Sequence, residues 1–318
     1  MQLYNKLSAK ERAELLEQAG EDRLTLSFYQ YAKIGNPYLF RNHLFIAWDA
    51  MEVLGRIYVA NEGINAQLSV PAKRFEEFKA FLDGIYFLEG CRLNIAIEQD
   101  LKSFLKLKVK VRHKIVADGL NDDSFDVTNK GVHVDAKKFN ELLEDPTAVV
   151  VDMRNHYESE IGHFDGAVTP DVDTFRDSLD IIEQDLRDHK EDKKLVMYCT
   201  GGIRCEYYSA YLKEQGFENV YQLDGGVINY AHKVGHAYWK GKLFVFDDRM
   251  VVPMGDSTEC ISQCKFCGTS SDVYYNCANM DCNALFLSCR DCLNTHAGCC
   301  QDSCQHGERV RPFDEVSN

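Results

Sequence analysis

The chain has 318 residues, enough for two or three domains at ~100–200 residues each. Its 45 % apolar content is ordinary for globular cores, and no uncharged apolar run reaches the ~18 residues of a membrane span. A net charge of −14 argues against whole-body attraction to nucleic acid, but a local basic patch can still bind it because salt screens charges beyond ~8 Å.

Residues 1–20 read as a charged amphipathic helix. Ser8 is a suitable N-cap and Glu11, three residues on, completes a capping box. The segment lacks the apolar run and cleavage site of a signal peptide, so the expected location is the cytoplasm. Residues 21–117 predict an α+β domain. LTLSFYQYA (24–32) is strand-like and residues 37–53 are helical from Pro37. Residues 56–70 form two strands around Asn61-Glu62-Gly63, and 71–84 have helical periodicity ending at Gly84. CRLNIAIEQD and FLKLKVKVRHKIV then alternate as strands. The order β-α-β-β-α-β is ferredoxin-like, the acylphosphatase-like arrangement. The polar, turn-rich residues 118–130 read as a linker. Residues 131–245 alternate helices with apolar strands at AVVVDMR (148–154), KLVMYC (194–199) and NVYQLDGG (219–226), an α/β domain with a parallel sheet. Residues 246–318 show little periodicity.

The segment Cys199-Thr200-Gly201-Gly202-Ile203-Arg204-Cys205 follows an apolar strand and precedes a helix. Such a turn makes a nest, in which backbone N–H groups and the helix N-terminus converge on the Cys199 sulfur and favour its thiolate. Arg204 can clamp an anion or brace the loop. Four residues separate Cys199 from Arg204. Phosphate-transferring loops of this design use five, so the shorter loop suits a single sulfur atom better than a tetrahedral phosphate. Cys205 can resolve an oxidised or persulfidated Cys199, or pack the first helical turn.

Ten of the thirteen cysteines follow residue 259. With no signal peptide, this clustering points to reduced thiols that bind metal. Cys264–Cys267 and Cys289–Cys292 are CxxC knuckles, and Cys277 and Cys282 lie between them. Cys299, Cys300 and Cys304 can complete a second site, with His296 and His306 nearby. The expectation is a small structural zinc module with two interleaved sites, in which metal supplies the folding energy. Phe266, Tyr274 and Tyr275 are candidates for base stacking or for packing this module's small core.

The CTGGIRC loop, together with Asp152, Arg154, Glu158, Gly162, His163, Gly166 and Ala167 in 149–168 and the segment YQLDGGVINY (221–230), resembles the rhodanese superfamily. Of these additional residues, Asp152, Arg154 and His163 are expected to be structural. With GRIYVANEGINAQLS (55–69) and the Cys-rich tail included, the chain is similar to the rhodanese-type tRNA uridine hydroxylases. That resemblance implies an oxidoreductase that makes 5-hydroxyuridine at the tRNA wobble position, with Cys199 essential and molecular oxygen as co-substrate. Neither a dinucleotide fingerprint nor an iron-binding triad is evident, so a persulfide or electron-donor protein is the implied partner. The competing reading is a sulfurtransferase carrying persulfide on Cys199. A third is a non-catalytic RNA-binding or redox-sensing scaffold, against which the intact loop argues.

For the tRNA, Lys106, Lys108, Lys110, Arg112 and Lys114 alternate in a stretch without acids, so in a strand they would project from one face and track a phosphate backbone. An ordinary solvated strand face has the same pattern. Asn61, Glu62 and Asn65 can read a base edge or simply close a hairpin.

Overall fold

A computed structural model describes residues 5, 7–116, 126, 129–172, 175–185, 187, 190, 192–255 and 259–313. Most of the expected linker lies outside the described residues. The chain forms two compact units, one comprising 1–155, 166–235 and 246–249, the other 156–165, 236–245 and 250–318.

In the first unit, helix α1 (Ala9–Ala19) starts at a complete capping box: Glu11 N donates to Ser8 Oγ (3.2 Å) and Ser8 N to Glu11 Oε2 (2.8 Å). Left-handed Gly20 ends it. There follow β1 (Arg23–Tyr31), α2 (Pro37–Ala50), β2 (Leu54–Ala60), β3 (Gly63–Pro71), α3 (Phe75–Asp83), β4 (Asn94–Ile95) and β5 (Leu107–Val111). The sheet order is β4-β1-β3-β2-β5. The first four strands are the ferredoxin-like set, and β5 is added at the edge, parallel to β2. Helix α2 stops short of residue 53 because Glu52 turns left-handed and Val53 N bonds back to Trp48 O. The strand expected over 91–100 shrinks to two residues, since the Gln99 side chain takes the place of a strand partner at Thr25 N (2.6 Å).

Period-two alternation sorts this sheet's residues onto two faces. Leu26, Phe28, Ile57, Val59, Ile64, Ala66 and Leu68 pack against Trp48 of α2 and Phe78 of α3. Each buried Leu, Ile, Val or Phe among them contributes roughly 1.5–3 kcal/mol. The opposite face is polar. Across it, Asn94, Ser27, Gln67, Arg56 and Lys108 stand in register as one row, strand by strand, from β4 to β5. Tyr29, Asn65, Tyr58 and Lys110 form the next.

The α/β region contributes β6 (Val132–Val134), α4 (Ala136–Leu143), β7 (Ala148–Asp152), α5 (His156–Ser159), β8 (Gly162–Phe164), α6 (Phe175–Asp185), β9 (Lys194–Tyr198), α7 (Ile203–Glu214), β10 (Val220–Leu223) and α8 (Gly226–Val234). Of these, α5 and β8 belong to the second unit. The sheet β6-β10-β9-β7 is parallel, which explains why its strands read as continuous apolar runs. At its edge the Asp152 carboxylate accepts from Arg154 Nε (2.8 Å), Arg154 Nη2 (2.6 Å) and Tyr198 OH (2.8 Å), so this fully buried charge is paired on several sides.

The second unit adds β11 (Trp239–Gly241), β12 (Leu243–Phe244), β13 (Val251–Val252), β14 (Tyr274–Asn276), β15 (Leu285–Leu287), α9 (Arg290–Thr295) and α10 (Asp302–Gln305). Its regular structure is sparse, and one small core joins Cys277, Phe286, Leu293 and Cys299 to Phe266 and Tyr275. Tyr274 is buried and donates to Tyr157 O (2.7 Å), while Phe266 stacks on His296. These aromatics pack the interior rather than offering faces to bases. His163 Nδ1 lies 2.8 Å from Ser159 O, a packed loop contact. Among the described residues no helix is long and apolar enough to cross a membrane.

Candidate active site

Strand β9 ends at Tyr198 and α7 begins at Ile203, so the intervening residues must reverse direction at once. Gly202 does this at φ +96°, a region open to glycine, and its N–H donates to Cys199 Sγ at 3.1 Å. The loop is tied from behind. Cys199 O and Thr200 O accept from Val227 N (3.0 Å) and Ile228 N (3.2 Å) at the start of α8. A Cβ at Gly226 would sit 2.4 Å from Cys199 O, so no side chain fits there.

Cys199 is buried, and burial by itself would raise its thiol pKa. A hydrogen bond from the Cys205 thiol, the Arg204 charge and the N–H groups of Cys205 and Arg204 outweigh this and hold it at about 6, a thiolate at neutral pH. Cys205 moves the opposite way, raised by burial and then by its hydrogen bond to Cys199. Arg204 lies 5.5 Å over the Phe246 ring and donates to Met153 O (3.4 Å), which keeps it beside the loop. The Cys205→Ala variant is therefore expected to shift the pH midpoint of Cys199 alkylation upward from near 6 by on the order of one unit. Iodoacetamide rates between pH 4 and 9 measure it, and an unmoved midpoint would make Cys205 packing alone.

The polar face of the ferredoxin-like sheet roofs this loop. Asn94 Nδ2 donates to Gly201 O (3.4 Å), Arg92 makes a bidentate pair with Asp224 (2.6 and 2.8 Å), and His232 Nε2 meets Ile95 O (2.8 Å). Between roof and loop lies a cleft with about 420 Å³ of empty space, its mouth included. Ser27, Asn65 and Gln67 line it from above, and Cys199, Thr200 and Arg204 from below. The roof residues other than Asn65 are not singled out by any local motif. Their signal is polar alternation in β1 and β3, which does not say what the polar face covers.

The hairpin residues divide. Asn61 Nδ2 donates to Ile34 O (3.0 Å) and Glu62 Oε1 accepts from Ile115 N (2.7 Å), so both brace backbone. Only Asn65 reaches the cleft.

The five basic residues do not form one row, because β5 ends at Val111. Lys108 and Lys110 are exposed on the polar face. Lys106 is half-buried and shares a shallow hollow with Arg56, Lys108 and Asp248. Arg112 sits 5.5 Å over the Tyr58 ring, and Lys114 donates to Tyr207 OH at 3.1 Å.

In the second unit the cysteines gather into two groups, Cys264, Cys267, Cys289 and Cys292, and Cys277, Cys282, Cys300 and Cys304, each with all four sulfurs within 4.8 Å of one another. Each group combines two pairs, and the pairs alternate along the chain. The sulfur separations of 3.7 Å (Cys267–Cys289), 3.6 Å (Cys282–Cys300) and 3.9 Å (Cys300–Cys304) suit a tetrahedral S₄ site, where a metal–sulfur bond of about 2.3 Å implies edges of about 3.8 Å. Both groups can hold a metal ion. Cys299 is in neither; it is fully buried in the small core beside Cys277. His296 is turned to Phe266 and Asp302.

Three family models match in succession: a UPF0176 acylphosphatase-like domain over residues 23–115, a rhodanese-like domain over 135–233 and a rhodanese C-terminal region over 240–305. A tRNA uridine(34) hydroxylase of Leptospira interrogans is 48 % identical over 96 % of this chain and 82 % of its own length. Relatives with that name from Photorhabdus laumondii (45 %, 97 % and 88 %) and Erwinia tasmaniensis (46 %, 98 % and 90 %) match equally broadly. The chain belongs to the tRNA uridine(34) hydroxylase family. The succession of models agrees with the fold described above: an acylphosphatase-like domain, a rhodanese domain carrying Cys199, and a Cys-rich C-terminal region with two potential metal sites.

Proposed function

We propose that this chain hydroxylates C5 of the wobble uridine of tRNA, with Cys199 as the reacting nucleophile and molecular oxygen as co-substrate. The observation that carries the reading is the thiolate at the floor of a cleft whose roof is a polar sheet face. A thiolate can add to C6 of uracil and place electron density on C5, where oxygen chemistry then occurs. One oxygen atom enters at C5 and the other leaves as water. The balance takes two electrons and two protons, so a persulfide or electron-donor protein is the proposed partner. Arg204 braces the loop, and Cys205 holds the proton shared with Cys199. The place of action is the cytoplasm.

Lys106, Lys108, Lys110, Arg112 and Lys114 would meet the phosphate backbone, with Lys108 and Lys110 as the exposed cations of β5 itself. Reversing those two charges (Lys108→Glu, Lys110→Glu) is expected to weaken tRNA binding by about tenfold or more and lower the salt slope by about 2. Binding isotherms at several salt concentrations decide this; an unchanged slope removes β5 from the interface. Zinc fits both four-cysteine groups and would supply folding energy there.

The whole reading is tested by nucleoside mass spectrometry of tRNA from a host lacking its own enzyme and complemented with this chain. Return of 5-hydroxyuridine is the expected result. If none returns while the purified protein transfers sulfur from thiosulfate, the sulfurtransferase reading replaces it.

A further inference from the structure

The cleft roof holds two kinds of carboxamide. Asn65 donates through Nδ2 to Ile115 O at 3.1 Å. A carbonyl can only accept, so the nitrogen is fixed toward Ile115 and Oδ1 is left as an acceptor. Gln67, two residues along the same strand face, is different. Among the described residues neither its side chain nor that of Ser27, directly opposite in register, has a hydrogen-bond partner. Polar side chains that line a cleft without partners of their own are groups available to a ligand.

We propose that Asn65 and Gln67 read the base that enters the cleft, and that Asn65 selects uracil over cytosine. This rests on the hydroxylase reading for the identity of the substrate. Uracil presents N3–H as a donor between two carbonyl acceptors. Cytosine presents a bare N3 acceptor and an amino donor. The pinned Oδ1 of Asn65 accepts from N3–H of uracil but opposes the N3 lone pair of cytosine. Gln67 has no such constraint. Its amide can turn to offer either donor or acceptor, so it contributes affinity without choosing between the bases. The two residues thus divide recognition, one rigid and discriminating, the other adaptable.

The division predicts opposite results for two variants made in Cys199→Ala protein, where binding is read without turnover. Short anticodon hairpins differing only in U or C at the wobble position serve as probes in fluorescence anisotropy. The parent should prefer the U hairpin by about tenfold, the worth of one well-made base contact. Asn65→Ala should bring that ratio close to one. Gln67→Met should weaken both hairpins by a similar factor, about fivefold or more, and leave the ratio. With Cys199 present, the pH midpoint of its alkylation should stay near the wild-type value in both variants. A preserved ratio in Asn65→Ala overturns the proposal, as does a moved midpoint, which would mean that the roof acts through the loop. If the hairpins are discriminated as expected but no 5-hydroxyuridine forms, the hydroxylase reading fails and base reading stands. If hydroxylation occurs and both variants bind as the parent does, base reading alone fails.

Discussion

Cys199→Ser is expected to lower 5-hydroxyuridine formation by at least about 10³-fold, the scale on which removal of a covalent nucleophile acts. The substitution changes one atom in a site that is 1 % exposed, so the fold should tolerate it. The reactivity should not survive. Against the opposing effect of burial, the Cys205 thiol, the Arg204 charge and the N–H groups of Cys205 and Arg204 together bring a thiol from an ordinary value near 9 to about 6. The same set acting on a hydroxyl leaves it protonated across the physiological range. The wild-type rate has a matching pH dependence. Because the folded pKa lies below the ordinary one, the reactive thiolate is present above about 6 and is lost as pH falls through that value. Rates should climb between pH 5 and 7 and then level off. Single-turnover assays on purified tRNA, with thermal melts of both proteins, separate chemistry from folding. A serine variant retaining a tenth of the activity would show that the thiolate is not the reacting group.

Removing metal should unfold the cysteine-rich region of the second unit. Its core is a handful of side chains, four of them ligand-group cysteines or their neighbour Cys299. So few apolar groups supply little against the ordering of some fifty residues, whose backbone alone costs about 1 kcal/mol or more each. A structural zinc site supplies about 10–16 kcal/mol near neutral pH. Elemental analysis should find two zinc ions per chain, and one in Cys267→Ser. A strong chelator should make residues 260–305 rapidly cleavable by protease. Absence of metal, or protease resistance unchanged by chelation, would mean that eight reduced thiols merely pack together. A charge-transfer band in the visible would instead assign the sites to iron and sulfur.

How much of this could be read in advance depends on the range of the interactions involved. The thiolate loop is local: strand, glycine turn and helix are contiguous, so residues 199–205 announce their own geometry. Even there the helix begins at Ile203, because Gly202 turns sharply enough for Ile203 and Arg204 to enter its first turn. The metal groups are semi-local. The CxxC pairs mark knuckles, but which pairs join, and that Cys299 is left in the core, depends on how the chain crosses itself. The roof is non-local. Ser27, Gln67 and Asn94 come from three strands, and only register brings them over a loop more than 100 residues away. The geometry of the basic run is non-local in the same way. Its alternation is real, but the strand carrying it stops at Val111, and Arg112 and Lys114 lie on tyrosine rings.

The row Ser27, Gln67, Arg56, Lys108 crosses three strand intervals, about 14 Å at ~4.8 Å each. The proposed phosphate contact at Lys108 would require a nucleotide to swing its base inward along this span toward the sulfur. A base stacked inside a duplex cannot do so without unpairing, at a few kcal/mol, whereas one at the bend of a loop is nearly extruded already. The sheet's width would then act as a gauge of RNA shape, admitting loop uridines and refusing helical ones before any base edge is read.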